Sequence, residues 1–148
     1  MSDYALGDLL PHAGGMMLLN KIVSFDEQSM VTEVIVNGNG LFGDDKSVPA
    51  LVGIEYMAQT VSAHSGMMDK LAQRQSYLGY LLGTRLYTSN VGSFFTGTVL
   101  TVSVKIVLQE QQQGLGVFDC KITGPGVLVE AKLNVYQPKS EKNRVLTE

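Results

Sequence analysis

The sequence is poor in the residues that build disulfides and metal sites. Its 148 residues include one cysteine, Cys120, two histidines, His12 and His64, and no tryptophan. A single cysteine cannot form a disulfide within the chain, and two dispersed histidines beside it do not supply the clustered ligands of a structural zinc site. We therefore expect a reducing compartment, no metal and no cofactor.

Charge is scarce as well. Charged residues make up 17% of the chain and the formal net charge is −3. The chain thus lacks the basic surface that phosphate backbones attract, and nucleic acid is not an expected partner. Asp3 stands where a secretory signal has cations, and no apolar segment follows it, so we expect a cytoplasmic protein. The longest apolar stretch, 48–63, is shorter than a membrane span and contains Glu55, which predicts a buried helix and no membrane span.

The sequence does contain enough apolar material for one domain. With 45% hydrophobic residues, a chain of this length buries about two thirds of its unfolded surface. We expect a single domain over 1–138 and a flexible charged tail over 139–148. The spacing of apolar residues predicts a short helix over 3–10 and a long, nearly all-apolar helix over 49–70. Alternating patterns predict strands over 16–25, 29–36, 76–87, 97–108, 115–123 and 127–136.

This order of elements predicts the fold class. Only the long helix can cover a face of the sheet, so we expect an α+β fold in which an antiparallel sheet wraps around a long central helix. The edge strands and the high apolar content favour a dimer or a higher oligomer.

Several short motifs follow one another in the first half of the chain: LPH at 10–12, MLLNKI at 17–22, LF at 41–42, PALV at 49–52 and EYMAQ at 55–59. They resemble, in the same order and at similar spacing, those of the hot-dog-fold 3-hydroxyacyl-[acyl-carrier-protein] dehydratases. That family has the successive patterns LPHR-x-PFLLVDR-V, GHFP and PGVL-x-x-EAMAQ. The resemblance covers residues 10–66 and is greatest to the divergent branch found with aryl-polyene pathways. It implies the hot-dog fold and the removal of water from a 3-hydroxyacyl thioester to give the trans-2-enoyl thioester.

Glu55 is the first candidate catalytic residue. A carboxyl group in the first turns of an apolar helix is desolvated, which favours its protonated form, whereas an exposed Glu at a helix N-terminus is the structural alternative. In the resembled family this position protonates the departing hydroxyl. Gln59 lies on the same helical face, where it can orient the carboxyl. Free backbone N–H groups near Ala50, Leu51 and Val52 are candidate ligands of the thioester oxygen.

The base is the point at which this sequence departs from the resembled family. By the family's spacing, the catalytic histidine falls on Leu41, and leucine cannot abstract a proton; Leu41 and Phe42 are therefore expected in the substrate site. His12 is the remaining candidate base, although its position is not the family's usual one and a turn residue bonded to backbone is the alternative. His64 lies about 180° round the helix from Glu55, which favours a core histidine.

Three functions stay open on the sequence alone. The first is a dehydratase that acts on a thioester of acyl carrier protein or CoA, with Glu55 as acid and His12 as base. The second is an acyl-thioester hydrolase, in which the helix carboxylate activates water and no histidine is required. The third is an acyl-binding subunit of a heteromeric dehydratase, not catalytic by itself, which pairs with a paralogue that carries the histidine and contributes Glu55 to a composite site.

Overall fold

The computed structural model describes residues 17–38, 44–73, 80–110 and 113–136. The helix expected over 3–10 and the tail expected over 139–148 lie outside these residues. Within them the elements, in chain order, are β1 (Lys21–Phe25), β2 (Ser29–Ile35), β3 (Ser47–Pro49), a 3₁₀ turn (Ala50–Val52), α1 (Gly53–Leu71), β4 (Tyr80–Ser89), β5 (Ser93–Phe95), β6 (Val99–Glu110), β7 (Leu115–Gly124) and β8 (Val127–Tyr136).

Six of these strands form one antiparallel sheet in the order β1-β2-β6-β7-β8-β4. Their alternating side chains explain the burial on one face of it: in β8, for example, Val129, Ala131, Leu133 and Val135 are buried while Glu130 is exposed. The expected antiparallel sheet is therefore confirmed, and β1 and β4 are its two edges.

Helix α1 packs against β2, β6 and β7. Its buried side includes Met57 and Met67, neither of which has exposed surface, so these methionines are core residues. The buried Thr60 hydroxyl lies 2.8 Å from that of Thr32 on β2 and also donates to the carbonyl of Tyr56, 2.9 Å away. This polar contact ties the helix to the sheet inside an otherwise apolar interface. No helix in the described part of the chain is long and apolar enough to span a membrane.

The structure differs from the prediction in two short strands, at the start of the long helix and at the end of β4. Two three-residue strands, β3 and β5, pair with each other in a small second sheet, and the sequence pattern did not indicate them because three residues are too few to show a period. The predicted helix start at Pro49 is a strand end followed by the 3₁₀ turn. Strand β4 ends at Ser89, two residues later than predicted.

Candidate active site

The carboxyl group of Glu55 is held by a buried amide. Glu55 lies in the first turn of α1 and is half-buried, whereas Gln59, one turn on, has no exposed surface. The Gln59 Nε2 group donates to Glu55 Oε2 at 2.9 Å. At its other end, Gln59 Oε1 accepts the backbone N–H of Leu18 at 2.9 Å. Because an N–H can only donate, the Leu18 contact fixes which end of the amide is oxygen, and the NH₂ end must face the carboxyl.

This arrangement defines what Glu55 can do chemically. The amide restricts the rotation of the carboxyl group and contacts it with a donor, so the group is presented in one orientation. The i, i+4 contact is the one that the sequence indicated. The sequence did not indicate the Leu18 contact, because it joins residues that are 41 positions apart.

The start of the helix is fixed by contacts from β4 and the β4–β5 loop. The Tyr87 hydroxyl on β4 donates to the carbonyl of Ala50, and the Ala50 N–H donates to the Gly92 carbonyl at 2.9 Å. The N–H of Gly53 also bonds back to the Ala50 carbonyl. The Ala50 N–H is therefore occupied and is not the free donor that the sequence led us to expect, so Leu51 is the nearest remaining candidate.

Tyr87 and Gly53 are residues that the sequence analysis missed. A Cβ on Gly53 would lie 2.6 Å from the Tyr87 hydroxyl oxygen and 2.9 Å from Cδ1 of Ile122. Only glycine allows the hydroxyl to approach the helix this closely. Burial raises the pKa of Tyr87 to about 12, so its hydroxyl stays a neutral donor at physiological pH. The glycine in an otherwise apolar helical stretch was the available signal.

A bulge in β4 brings Tyr87 to this position. Strand β4 pairs with β8 from Arg85 opposite Lys132 to Thr88 opposite Glu130, so two residues of β4 occupy the space of one residue of β8. The first of the two, Leu86, has a φ of +57° and a side chain that is 72% exposed.

His64 belongs to the core, as the sequence indicated. Its side chain is 2% exposed, and Nε2 lies 3.0 Å from the Asp26 carbonyl oxygen in the β1–β2 turn. Its ring also contacts that of Phe118 edge-on, with centroids 6.4 Å apart. Burial lowers the pKa of His64. It is neutral, packed and bonded to backbone, and it is not placed to act as a base.

The other predicted site residues are divided between the described and undescribed parts of the chain. Leu51 is 67% exposed and Val52 is half-buried, both at the start of α1. His12, Leu41 and Phe42 lie outside the described residues, so their roles stay predictions. Among the residues described, no group of three or more histidine, cysteine or acidic side chains could hold a metal ion.

A trough of about 730 Å³ lies elsewhere, on the face of the sheet opposite α1, and Glu55 does not line it. Its charged residues oppose one another across the strands: Lys105 pairs with Asp119 in register, and Lys121 with Glu130. Asp119 also forms an ion pair with Lys132. The lining therefore holds three lysines and two acids, and such closely opposed charges of both signs are typical of a solvated strand surface that is separate from the Glu55 site.

The chain is similar to one known protein family and to several solved structures. The family model described as ApeP-like, ApeP dehydratase, matches residues 4–147. A solved structure, the dehydratase heterocomplex ApeI:P from Xenorhabdus doucetiae, is 30% identical over 99% of this chain and 100% of that chain, with a TM-score of 0.85. A comparison with curated proteins found no match.

More distant structures share the fold. A hypothetical thioesterase with coenzyme A from Streptococcus pneumoniae is 15% identical over 79% of this chain and 84% of that chain, with a TM-score of 0.57. The E. coli PaaI protein of the phenylacetic acid degradation operon is 14% identical over 79% and 82%, with a TM-score of 0.58. At such identities the likeness concerns the fold alone, and it confirms the hot-dog arrangement.

Proposed function

This chain belongs to the ApeP-like dehydratase family, and we propose that it takes part in removing water from a 3-hydroxyacyl thioester, with Glu55 as the acid. The observation that supports this most directly is the clamp on Glu55: its Oε2 accepts from Gln59 at 2.9 Å, and Gln59 is itself held by Leu18. The acyl group would be carried by acyl carrier protein or CoA, and the product would be the trans-2-enoyl thioester.

The proposed reaction is an elimination of water. A base removes the proton on the carbon next to the thioester carbonyl, the bond between the β-carbon and its hydroxyl breaks, and Glu55 protonates the departing oxygen so that water leaves. Because Oε2 accepts an N–H, the transferred proton belongs on Oε1. The base then returns its proton to Glu55 through the solvent, and the site is ready for another turnover.

His12 remains our candidate for the base within this chain. His64 is committed to the core by its contact with the Asp26 carbonyl, and Leu41 occupies the position of the family's usual histidine. His12 is six residues before Leu18, which contacts the Glu55 clamp. Six residues of extended chain span at most about 20 Å, so the distance along the sequence is compatible with a contact to the same site.

A partner chain is the other source of a base, and the edge of the sheet supports this arrangement. Strand β4 ends the six-stranded sheet, and its exposed residues include Leu81, Leu82 and Leu86, which are 43%, 58% and 72% exposed. An exposed apolar edge strand is suited to pairing with another chain. Because the relative from Xenorhabdus doucetiae is a heterocomplex, we propose a heteromer with a paralogous hot-dog dehydratase, and a homodimer as the alternative.

The test measures turnover of a 3-hydroxyacyl thioester of N-acetylcysteamine by the full-length chain, alone and together with a histidine-bearing paralogue. Enoyl thioester is followed by its ultraviolet absorbance, and free thiol is followed separately to detect hydrolysis. We expect Glu55→Gln to lower dehydration at least a hundredfold, with His12→Asn lowering it similarly if the base is in this chain.

The competing functions give different results in the same assay. Thiol release that depends on Glu55, without enoyl product, would identify a hydrolase. Dehydration that appears only in the mixture would identify a subunit without activity of its own, and its loss with Glu55→Gln would show that this chain contributes the acid to a composite site. An unchanged rate for Glu55→Gln in every preparation would overturn the assignment of Glu55 as the acid.

A further inference from the structure

Tyr87 reaches the start of α1 from an unfavourable backbone conformation. The preceding residue, Leu86, has a φ of +57°, a region that costs a residue with a side chain about 1–2 kcal/mol. Its side chain is 72% exposed, so burial of Leu86 does not offset that cost. The bulge instead orients the next residue, Tyr87. Its side chain is half-buried, and its hydroxyl donates to the carbonyl of Ala50 at the start of the helix.

Within the described part of the chain, the start of the helix is not fixed by its own cap residues. Neither Pro49 before the 3₁₀ turn nor Val52 before α1 forms a side-chain cap hydrogen bond. The turn is instead held through Ala50, which binds Tyr87 and the Gly92 carbonyl. Glu55 lies two residues beyond Gly53, the residue against which the Tyr87 hydroxyl rests. A displacement of this turn therefore moves the backbone that carries the carboxyl, while the Gln59 clamp constrains only the far end of that side chain.

We propose that Tyr87 is a positioning residue for Glu55: through its hydrogen bond to Ala50 it sets where the first turn of α1, and with it the carboxyl, stands relative to the acyl thioester. The inference rests on the proposed function, because it concerns the placement of the proposed acid. Catalytic rates are sensitive to displacements of about 1 Å at a reacting group, so the loss of one hydroxyl here should alter the chemical step more than substrate binding.

The experiment compares Tyr87→Phe with Tyr56→Phe in the full-length chain, in whichever assembly dehydrates the N-acetylcysteamine thioester. Tyr56 is a matched control, because it lies on α1, is 3% exposed, stacks on Phe94 with ring centroids 6.0 Å apart and has a pKa raised to about 12, first by burial and then by Tyr87 nearby. Its replacement removes a neighbouring buried hydroxyl but keeps the bond from Tyr87 to Ala50. We expect Tyr87→Phe to lower kcat about tenfold with KM changed less than twofold, and Tyr56→Phe to change kcat less than twofold. Melting temperatures of the two variants should differ little from each other.

A second measurement separates positioning from general destabilisation. In a Glu55→Asp background the carboxyl is already displaced by one methylene, so Tyr87→Phe should cause a much smaller further loss than it does in the parent. The same tenfold factor in both backgrounds, or a kcat of Tyr87→Phe equal to that of the parent, would overturn the inference. If Glu55→Asp is too slow to assay, the comparison of kcat and KM decides alone. Failure of the proposed function has a different signature, because there Glu55→Gln retains full activity.

Discussion

Replacing Gln59 by Glu is the sharpest perturbation of the Glu55 clamp. The new carboxyl can still accept the Leu18 N–H, but its other oxygen takes the place of a donor 2.9 Å from Glu55 Oε2. Two unit charges at that separation repel by about 6 kcal/mol at an effective dielectric constant of about 20. The folded variant avoids this repulsion by keeping one proton on the two carboxyl groups. Keeping that proton costs about 1.4 kcal/mol for each pH unit above about 4.3, the usual pKa of glutamic acid.

At pH 5 and at pH 7, keeping one proton on the two carboxyl groups costs less free energy than the repulsion between two charges. The cost of that proton therefore sets the loss in the free energy of unfolding. At pH 7 the free energy of unfolding should fall by at most about 4 kcal/mol, and by about 2–3 kcal/mol after allowance for the solvent that reaches half-buried Glu55. At pH 5 the loss should be about 1 kcal/mol. The sign follows from linkage: the folded variant holds a proton that the unfolded chain releases, so stability is present at low pH and is lost as pH rises.

Urea denaturation of the full-length chain at pH 5 and pH 7, at one protein concentration, measures both values. Gln59→Leu is the matched control, because it orphans the Leu18 N–H, which costs about 1–3 kcal/mol, and brings no charge. Its loss should differ far less between the two pH values. If Gln59→Glu lost the same free energy at pH 5 and pH 7, the side chain at 59 would not face Glu55, which would contradict the contact between Gln59 Nε2 and Glu55 Oε2.

Two further predictions concern stability. The folded state lowers the pKa of His64 below its usual 6.5, mainly through burial, so the unfolded chain binds that proton more readily. The free energy of unfolding should therefore fall as pH drops below about 6.5. A His64→Gln variant with the same pH dependence as the parent would refute this. Gly53→Ala should lower the melting temperature, since crowding against Tyr87 costs about 1–3 kcal/mol and the better helix propensity of alanine returns only about 1 kcal/mol. Adding Tyr87→Phe to this variant should recover part of the loss. A raised melting temperature for Gly53→Ala alone would contradict the contact between Gly53 and Tyr87.

The main architecture could be predicted because it depends on local periodicity. The alternation in β8 and the nearly all-apolar stretch of α1 each mark an element long enough to show its period. The edge strand β4 was found, but its bulge was not, because a leucine with φ of +57° contradicts the ordinary preference of that residue. Such a conformation is imposed by surrounding contacts, which single-residue propensities do not contain.

The candidate site was predictable to the extent that its contacts lie on one helix. Glu55 and Gln59 are four residues apart and meet as helical geometry requires. Tyr87 and Ala50 are 37 residues apart, and Leu18 and Gln59 are 41 apart. Those pairs depend on how the strands curl around the helix, so the sequence pattern gave no reason to place them together.

The contact between Gln59 and Glu55 is better explained by the proposed activity than by stability. Gln59 has no exposed surface, and burying an amide contributes to stability only about as much as its hydrogen bonds repay for its desolvation. An apolar residue at 59 would orphan the Leu18 N–H at a cost of about 1–3 kcal/mol, so the contact through Gln59 Oε1 contributes to stability. The contact of Gln59 Nε2 with half-buried Glu55 contributes less. That Nε2 contact restricts the carboxyl to one orientation on the helix, which is what the proposed transfer of a proton to a bound substrate requires.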